Sequence, residues 1–462
     1  MEETPLYDRA ADLGPRGTEL RHLLDEFAVE HRDEPLAAAA IPAIITLARW
    51  LREELKPAPS RLETLQPVLP NGPLCEYLRT VARRRLEEPG YPGEHYLAGG
   101  VLFQADGPNH FRPAEPIMRQ LGEQMKPPAE IRVSRRQQYS STMRAIRLAS
   151  RLIHAARKRG IWLPPNLPNL YAIFISTAYA LAYDAALFNA LSPKAVVVLA
   201  TPNAGPRALV TAARSAGIPS VYFPHAPVLM DKTFNDLPTD FAGLRGPAEF
   251  HYYKEVGASC DRIEVVGDPS IDSEEMPDHD PSLPPVLAPP IEADAVMRKV
   301  VETVEAGVGD SLLVCPHPEA DLKKLQALIP SGWTIWSDRT YALLRRGPPV
   351  IMQFTSGVAL EALMLGIPTI ELRFPADRII TYPQIREPHV RIVSTPAELR
   401  AAIKQSYRDV KKPSARRQLR DWALRWSSPH GQEAARQGAA LVLRAAEGPP
   451  PGAIWDAWSG RA

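Results

Sequence analysis

The stretch 348-PPVIMQFTSGVALEALMLGIPTIE-371 decides how the rest of the chain is read. Val350-Ile351-Met352 is an apolar run too short for a helix and suits a buried parallel strand. A small-polar turn follows, Thr355-Ser356-Gly357, and then a helical pattern from Val358 to Leu365. Gly366 and Pro368 end that helix, and Thr369-Ile370-Glu371 opens another strand. The unit is strand, turn, helix, strand, with hydroxyls and a glycine where free N–H groups and the helix dipole favour an anion. Glu361 lies about one turn on, at the right reach for a ribose hydroxyl. The stretch therefore reads as a nucleotide-phosphate cradle in an α/β domain. A turn of this kind also serves many α/β proteins simply as a cap, so its neighbours must decide.

Working outward, the pattern repeats. Ala195 to Ala200 is a buried strand, Arg207 to Ala216 a helix closed by Gly217 and Pro219, and Val221-Tyr222-Phe223 a strand ending near His225. Such strand ends are where α/β folds bind ligands. Thr239 to Leu244 reads as a strand with Asp240 at its start, Ala248 to Val256 as a helix, and Ile263 to Pro269 as a strand with a tight turn, Asp272 close behind. The proline-rich run Asp278 to Pro290 is the best linker. Beyond it, Ser311 to Cys315 is a strand running into Pro316-His317-Pro318-Glu319, and a second βαβ series extends to about Thr395.

Residues before about Gly160 read mostly as helix: Thr18 to Glu30, Ala38 to Leu55, Leu74 to Glu88 and Ser141 to Lys158. Val101 to Gln104 and Ile131-Arg132-Val133 are short strand candidates. The helix reaching Arg159 carries Arg144, Arg147, Arg151, Arg157, Lys158 and Arg159. That is either a solvated face or a surface turned to an anionic acceptor or lipid headgroups. The tail from Ala397 to Glu447 is helical, with basic residues beside Tyr407, Trp422 and Trp426. It is either a membrane-docking face or a segment wrapped over another domain with its tryptophans in the interface.

Composition narrows the classes. The 462 residues are 45% hydrophobic and 23% charged, an ordinary globular profile long enough for two domains. A net charge of +1 gives no bulk attraction for nucleic acid. Cys75, Cys260 and Cys315 form neither a disulfide framework nor a zinc spacing, which suits a reducing cytoplasm. The Cys315-x-His317 string reads as a buried strand cysteine rather than a metal site. The N-terminus is acidic and polar, unlike a signal peptide. Leu36 to Leu51 is too short to span a membrane, and Leu170 to Leu191 carries Asp184 and Asn189, so a buried helix is expected there.

Four landmarks in order, PKAVVVLATPNAGPRALVTAARSAGIPSVYFPHA, VVGDPSID, VCPHPE and FTSGVALEALMLGIPTIEL, resemble the bacterial GT-B glycosyltransferases. The resemblance is greatest to capsule polysaccharide transferases (sialyl- and Kdo-transferases) and CDP-glycerol glycerophosphotransferases. It covers about Lys194 to Ala402. UDP-N-acetylglucosamine 2-epimerases share that fold and look similar in the last segment. The resemblance implies an α/β fold of two Rossmann-like domains facing a cleft. Residues 161–285 would form the acceptor domain and 286–400 the nucleotide-sugar domain. Residues 1–160 would be a mostly helical region of, or appended to, the acceptor domain, and 401–462 a helical tail packed across both.

It further implies that His317, with Pro318 and Glu319, and the Thr355-Ser356-Gly357 turn hold the donor nucleotide, with Glu361 near the ribose or a phosphate. His225 matches the histidine of a His-Gly pair, although Ala226 replaces that glycine. The chemistry needs a base for the acceptor hydroxyl and a stabiliser for the leaving phosphate. His225 is the expected base and His317 the expected stabiliser. An Asp or Glu of the N-terminal third is the other candidate base. That chemistry fits without a metal, so metal independence is expected. The donor would be CMP-, CDP- or UDP-linked and the acceptor a glycan or glycolipid, met at the inner face of the membrane. An epimerase and a non-catalytic nucleotide-sugar-binding partner in polysaccharide assembly are the alternatives.

Overall fold

The computed structural model describes residues 14–31, 33–50, 94–105, 107–127, 131, 133–161, 167–200, 204–228, 237–258, 262–271, 275–289, 294–309, 311–317, 320–354, 356–374 and 382–448. The helix expected over Leu74 to Glu88, and Asp272, Pro318, Glu319 and Thr355, lie outside these. Helices α1 (Gly14–Glu30) and α2 (Pro35–Trp50) come first, then a hairpin of β1 (Glu94–Ala98) and β2 (Val101–Ala105). Its two-residue turn, Gly99-Gly100, has φ of 58° and 82°, a pair that only glycine adopts cheaply. Helix α3 (Pro108–Leu121) follows β2, and β3 (Gln124–Met125) pairs with the free side of β1.

Two long helices come next, α4 (Arg135–Lys158) and α5 (Leu167–Leu191). The first begins at a capping box: Ser134 Oγ accepts from Gln137 N, and Gln137 Oε1 accepts from Ser134 N. The expected strand at Ile131–Val133 is therefore absent: Ile131 and Val133 lie outside any strand, because this segment leads into that cap. Leu20, Phe27, Ile41, Leu152 and Phe174 are among the side chains that join α1, α2, α4 and α5 in one apolar core. Leu170–Leu191 is long and apolar enough to cross a membrane, yet more than half of that window is buried in the protein and Asp184 is fully enclosed. It is a core helix here.

The parallel part of the first sheet runs through β4 (Ala195–Val198), α6 (Ala204–Ser215), β5 (Ser220–Tyr222), β6 (Phe241–Leu244), α7 (Pro247–Glu255) and β7 (Ile263–Val265), in the order β3-β1-β2-β4-β5-β6-β7. Alternate residues go to opposite faces, so Val196, Val198, Tyr222 and Leu244 feed one core and Val197, Val221 and Phe103 another.

The second sheet is parallel throughout. Its elements are β8 (Val286–Ala288), α8 (Asp294–Val308), β9 (Leu312–Val314), α9 (Leu322–Leu328), β10 (Trp333–Ile335), α10 (Thr340–Leu344), β11 (Ile351–Gln353), α11 (Val358–Met364), β12 (Thr369–Leu372) and β13 (Val390–Val393). The order β10-β9-β8-β11-β12-β13 is the doubly wound 3-2-1-4-5-6 order counted from β8. Both sheets thus belong to Rossmann-like α/β units.

Three helices end the described residues: α12 (Pro396–Asp409), α13 (Pro413–Leu424) and α14 (Gly431–Glu447). The last returns to the first sheet, where Leu441 and Val442 pack with Ile117 and Met118 of α3 over Val197 and Val221. Gly438 permits this, since a Cβ there would come within 2.9 Å of Ile117 Cδ1. Trp422 and Trp426 are buried at 5% and 7% exposure, so of the two readings of the tail it is the wrapped segment that has its tryptophans in this place. Trp422 stacks on His389 at 4.3 Å and donates from Nε1 to the Gln384 carbonyl.

Candidate functional site between the two sheets

The carboxyl ends of the two sheets face each other. Arg112, on the helix after β2, reaches Glu361 on the helix after β11, Nη1 to Oε1 at 2.7 Å. Gly357 meets the segment after β5: a Cβ there would lie 3.1 Å from Pro227 Cδ. In a doubly wound sheet the ligand crevice opens where the strand order reverses, between β8 and β11. The turn that holds Ser356 and Gly357 stands at the carboxyl end of β11, at that point.

This turn is held from below by Gln353. Its Oε1 accepts from Ser356 N at 2.5 Å, and its Nε2 donates to Glu371, its register partner on β12. Both Gln353 and Glu371 are fully buried. Ser356 Oγ accepts from Val358 N at 3.4 Å, and α11 is only seven residues long. The Ser356 and Val358 N–H groups are thus engaged inside the turn. The positive charge at this point is the guanidinium of Arg112, which sequence reasoning missed. Its second nitrogen donates to the Ser270 carbonyl at 3.3 Å, and it lies 5.5 Å from the Tyr341 ring centroid.

His225 follows β5 and is half-buried. Its Nδ1 lies 2.6 Å from the Leu199 carbonyl. A carbonyl only accepts, so Nδ1 carries the proton and Nε2 keeps its lone pair. Burial, with Arg245 nearby, lowers its pKa despite that carbonyl, so the ring is neutral. The His110 ring packs on it with centroids 4.0 Å apart. Burial, and then the neighbouring His225, push His110 down to about 3. His110 was not singled out from the sequence either. His317 sits at the carboxyl end of β9, with β8 between it and the turn on β11. Cys315, two residues earlier, is buried and its thiol is pushed up to about 12. Among the described residues no group of three or more His, Cys, Asp or Glu is arranged to hold a metal ion.

The VVGDPSID landmark has a structural job. Asp268 is buried and takes the Arg245 Nε–H at 2.9 Å, while its other oxygen accepts from Ser270 N and Oγ. Arg245 N in turn donates to Glu249, whose burial raises it to about 7. The returning chain is sewn onto this cluster: Asp268 N donates to Pro429 O, Gly431 N to Asp268 O, and Ser428 N to Arg245 O. Gly267, at φ 92°, and Gly246 allow the approach, since a Cβ on either would overlap the backbone of 425–429. Asp268 therefore orders the floor beneath Arg112 through Ser270.

Two Rossmann-like units with facing carboxyl ends make a GT-B-like architecture. No family model matches the chain, and no curated protein matches it. Solved structures of similar fold include the UDP-GlcNAc 2-epimerase of Methanocaldococcus jannaschii in complex with UDP-GlcNAc and UDP, at 15% identity and a TM-score of 0.41, covering 57% of this chain and 79% of that one. The UDP-N-acetylglucosamine 2-epimerase of Rickettsia bellii is 14% identical with a TM-score of 0.44, covering 59% and 79%. A glycosyltransferase of kitacinnamycin is 14% identical with a TM-score of 0.40, covering 58% and 82%. Identities and scores this low carry no activity across to this chain.

Proposed function

We propose that the protein transfers a sugar, or a sugar-like or glycerophosphate unit, from a nucleotide-activated donor to a glycan or glycolipid acceptor, without a metal ion. One observation carries this reading. The crevice at the reversal of the second sheet faces a cation, Arg112, and a neutral histidine, His225, both presented by the first sheet. A nucleotide lying on 354–357 would bring its phosphate to the Arg112 guanidinium, which then exchanges Glu361 for the ligand. Glu361, released, stands one turn along α11 and is free for a ribose hydroxyl.

In the transfer, the acceptor oxygen attacks the reacting carbon or phosphorus of the donor, and its proton passes to His225 Nε2. The bond to the leaving phosphate oxygen breaks, and that oxygen keeps the electron pair. Arg112 and His317 are the groups assigned to the charge that develops there. Ala226 beside His225 still allows this, because the chemistry uses the ring and not the neighbouring backbone. The donor is assigned to the cytidine type, and the reaction to the cytoplasmic side, where lipid-carried acceptors are met.

The test is a thermal-shift panel of CMP, CDP, UDP, GDP and their sugar conjugates, followed by turnover with and without a glycolipid acceptor. A ligand that binds the folded state alone raises the melting temperature. Cytidine-selective shifts with acceptor-dependent consumption of donor support the reading. Consumption of UDP-N-acetylglucosamine without any acceptor would assign an epimerase instead, and no shift with any nucleotide would leave a non-catalytic partner.

A further inference from the structure

We propose that the exposed face of α4 docks the protein on an anionic lipid bilayer. Its 24 residues include no aspartate or glutamate. Arg136, Arg144, Arg147, Arg151, His154 and Lys158 recur at steps of three, four or eight, and all six are exposed. They therefore form one stripe along the helix. The opposite face, including Leu148, Leu152 and Ala156, is buried against α1, α2 and α5. The helix is thus fixed to the body of the protein by its apolar side and turns its charge outward.

Neutralisation by neighbours is partial. Arg144 pairs with Glu34 at 2.6 Å and Arg159 pairs with Glu26. Among the described residues no carboxylate pairs with Arg147, Arg151 or Lys158. The whole chain carries a net charge of only +1, so this is a local concentration of charge and not a property of the protein at large. From Arg136 to Lys158 the stripe spans roughly 33 Å at the α-helical rise, a long straight row suited to a flat surface.

Tyr139, 70% exposed, lies on the flank of the stripe with Met143 beside it. An aromatic ring and a thioether next to arginines suit the headgroup layer of a bilayer better than the groove of a nucleic acid. The proposal does not depend on which donor the cleft takes.

The test is co-sedimentation of the full chain with vesicles of phosphatidylcholine, with and without one third phosphatidylglycerol. Binding is expected only to the anionic vesicles and is expected to fall at high salt. Each basic residue near such a surface contributes about a five-fold factor, so Arg147→Gln/Arg151→Gln/Lys158→Gln should bind roughly a hundred-fold more weakly. Arg147→Lys/Arg151→Lys, which keeps the charge, should bind as the parent does. A control pair on the C-terminal helices, Arg408→Gln/Arg417→Gln, should change little. Undiminished binding of the triple variant would overturn the proposal. So would tighter binding to a short DNA duplex than to the anionic vesicles, or equal binding to neutral ones.

Discussion

Arg112 and Glu361 are joined across the cleft by a 2.7 Å contact although 249 residues separate them in the chain. Their side chains are 33% and 18% exposed, so the pair is partly wet and contributes little to stability, about 1 kcal/mol or less. Its meaning lies in position, since it joins the helix after β2 to the helix that follows the reversal point of the second sheet. Arg112→Ala is expected to leave the urea midpoint almost unchanged. It should weaken nucleotide binding by about ten-fold or more, the worth of a charge-assisted hydrogen bond. Titration calorimetry of parent and variant checks this, and equal affinities would remove Arg112 from the binding site.

His225 separates binding from chemistry. With its Nδ1 proton committed to the Leu199 carbonyl, the ring is a neutral base. His225→Ala should lower the transfer rate by about 10²-fold or more while donor affinity stays within about three-fold. Single-turnover rates and equilibrium titration measured side by side decide it. Equal loss of both, or loss of neither, speaks against a base.

Buried histidines make stability depend on pH. Burial lowers His110 to about 3 and His95 to about 4, and it lowers His225 as well. Their folded values lie below the unfolded one of about 6.5. The unfolded chain therefore binds more protons below that pH, and stability present above it is lost on acidification. The expected slope is about 1.4 kcal/mol per pH unit for each histidine that stays neutral in the fold. Although His95 Nε2 lies 3.8 Å from Asp184, burial dominates and the ring counts as neutral. Urea unfolding at pH 7 and pH 5 should show the fall, and His95→Gln/His110→Gln should flatten it.

Asp268 carries the return of the chain. Removing its carboxylate strands the buried Arg245 charge, which costs about 3–5 kcal/mol. Asp268→Ala should lose that much in denaturant unfolding. It should also free the 425–431 segment to faster amide exchange, since the Asp268 carboxylate accepts from Ser427 Oγ and holds Arg245, whose carbonyl takes the Ser428 N–H. A loss below about 1 kcal/mol would show that the clasp is not structural.

Gly267 offers a test of the same joint without touching a charge. Its φ of 92° and a Cβ position 2.0 Å from Pro429 O leave no room for a side chain. Gly267→Ala should destabilise by at least as much as a left-handed strain of about 1 kcal/mol, and by more through the overlap. Near-normal melting would mean that the loop relaxes.

Much of the second sheet was legible in order. Strands of three or four apolar residues, each followed by a helix that a glycine or proline ends, identify parallel α/β units by local pattern alone. The turn after β11 and His225 after β5 could be placed at strand ends because strand ends are recognisable points in such a pattern. Helix α3 was not, since Pro113 and Pro116 lie inside it and argue against a helix. It forms because Ile117 and Met118 find a partner in α14, more than 300 residues on. With α3 unseen, His110 and Arg112 could not be assigned to the cleft.

The sequence by itself determined the alternation of strand and helix and the place of the reversal turn, because these depend on backbone bonding and on neighbours a few residues apart. Tertiary structure alone decided which charges meet there. Arg112 against Glu361, Arg245 against Asp268 and the return of α14 over the first sheet join residues from 23 to several hundred positions apart. No local period encodes such pairs. They follow from the packing of two sheets end to end, which selects among many arginines the one whose helix points into the gap.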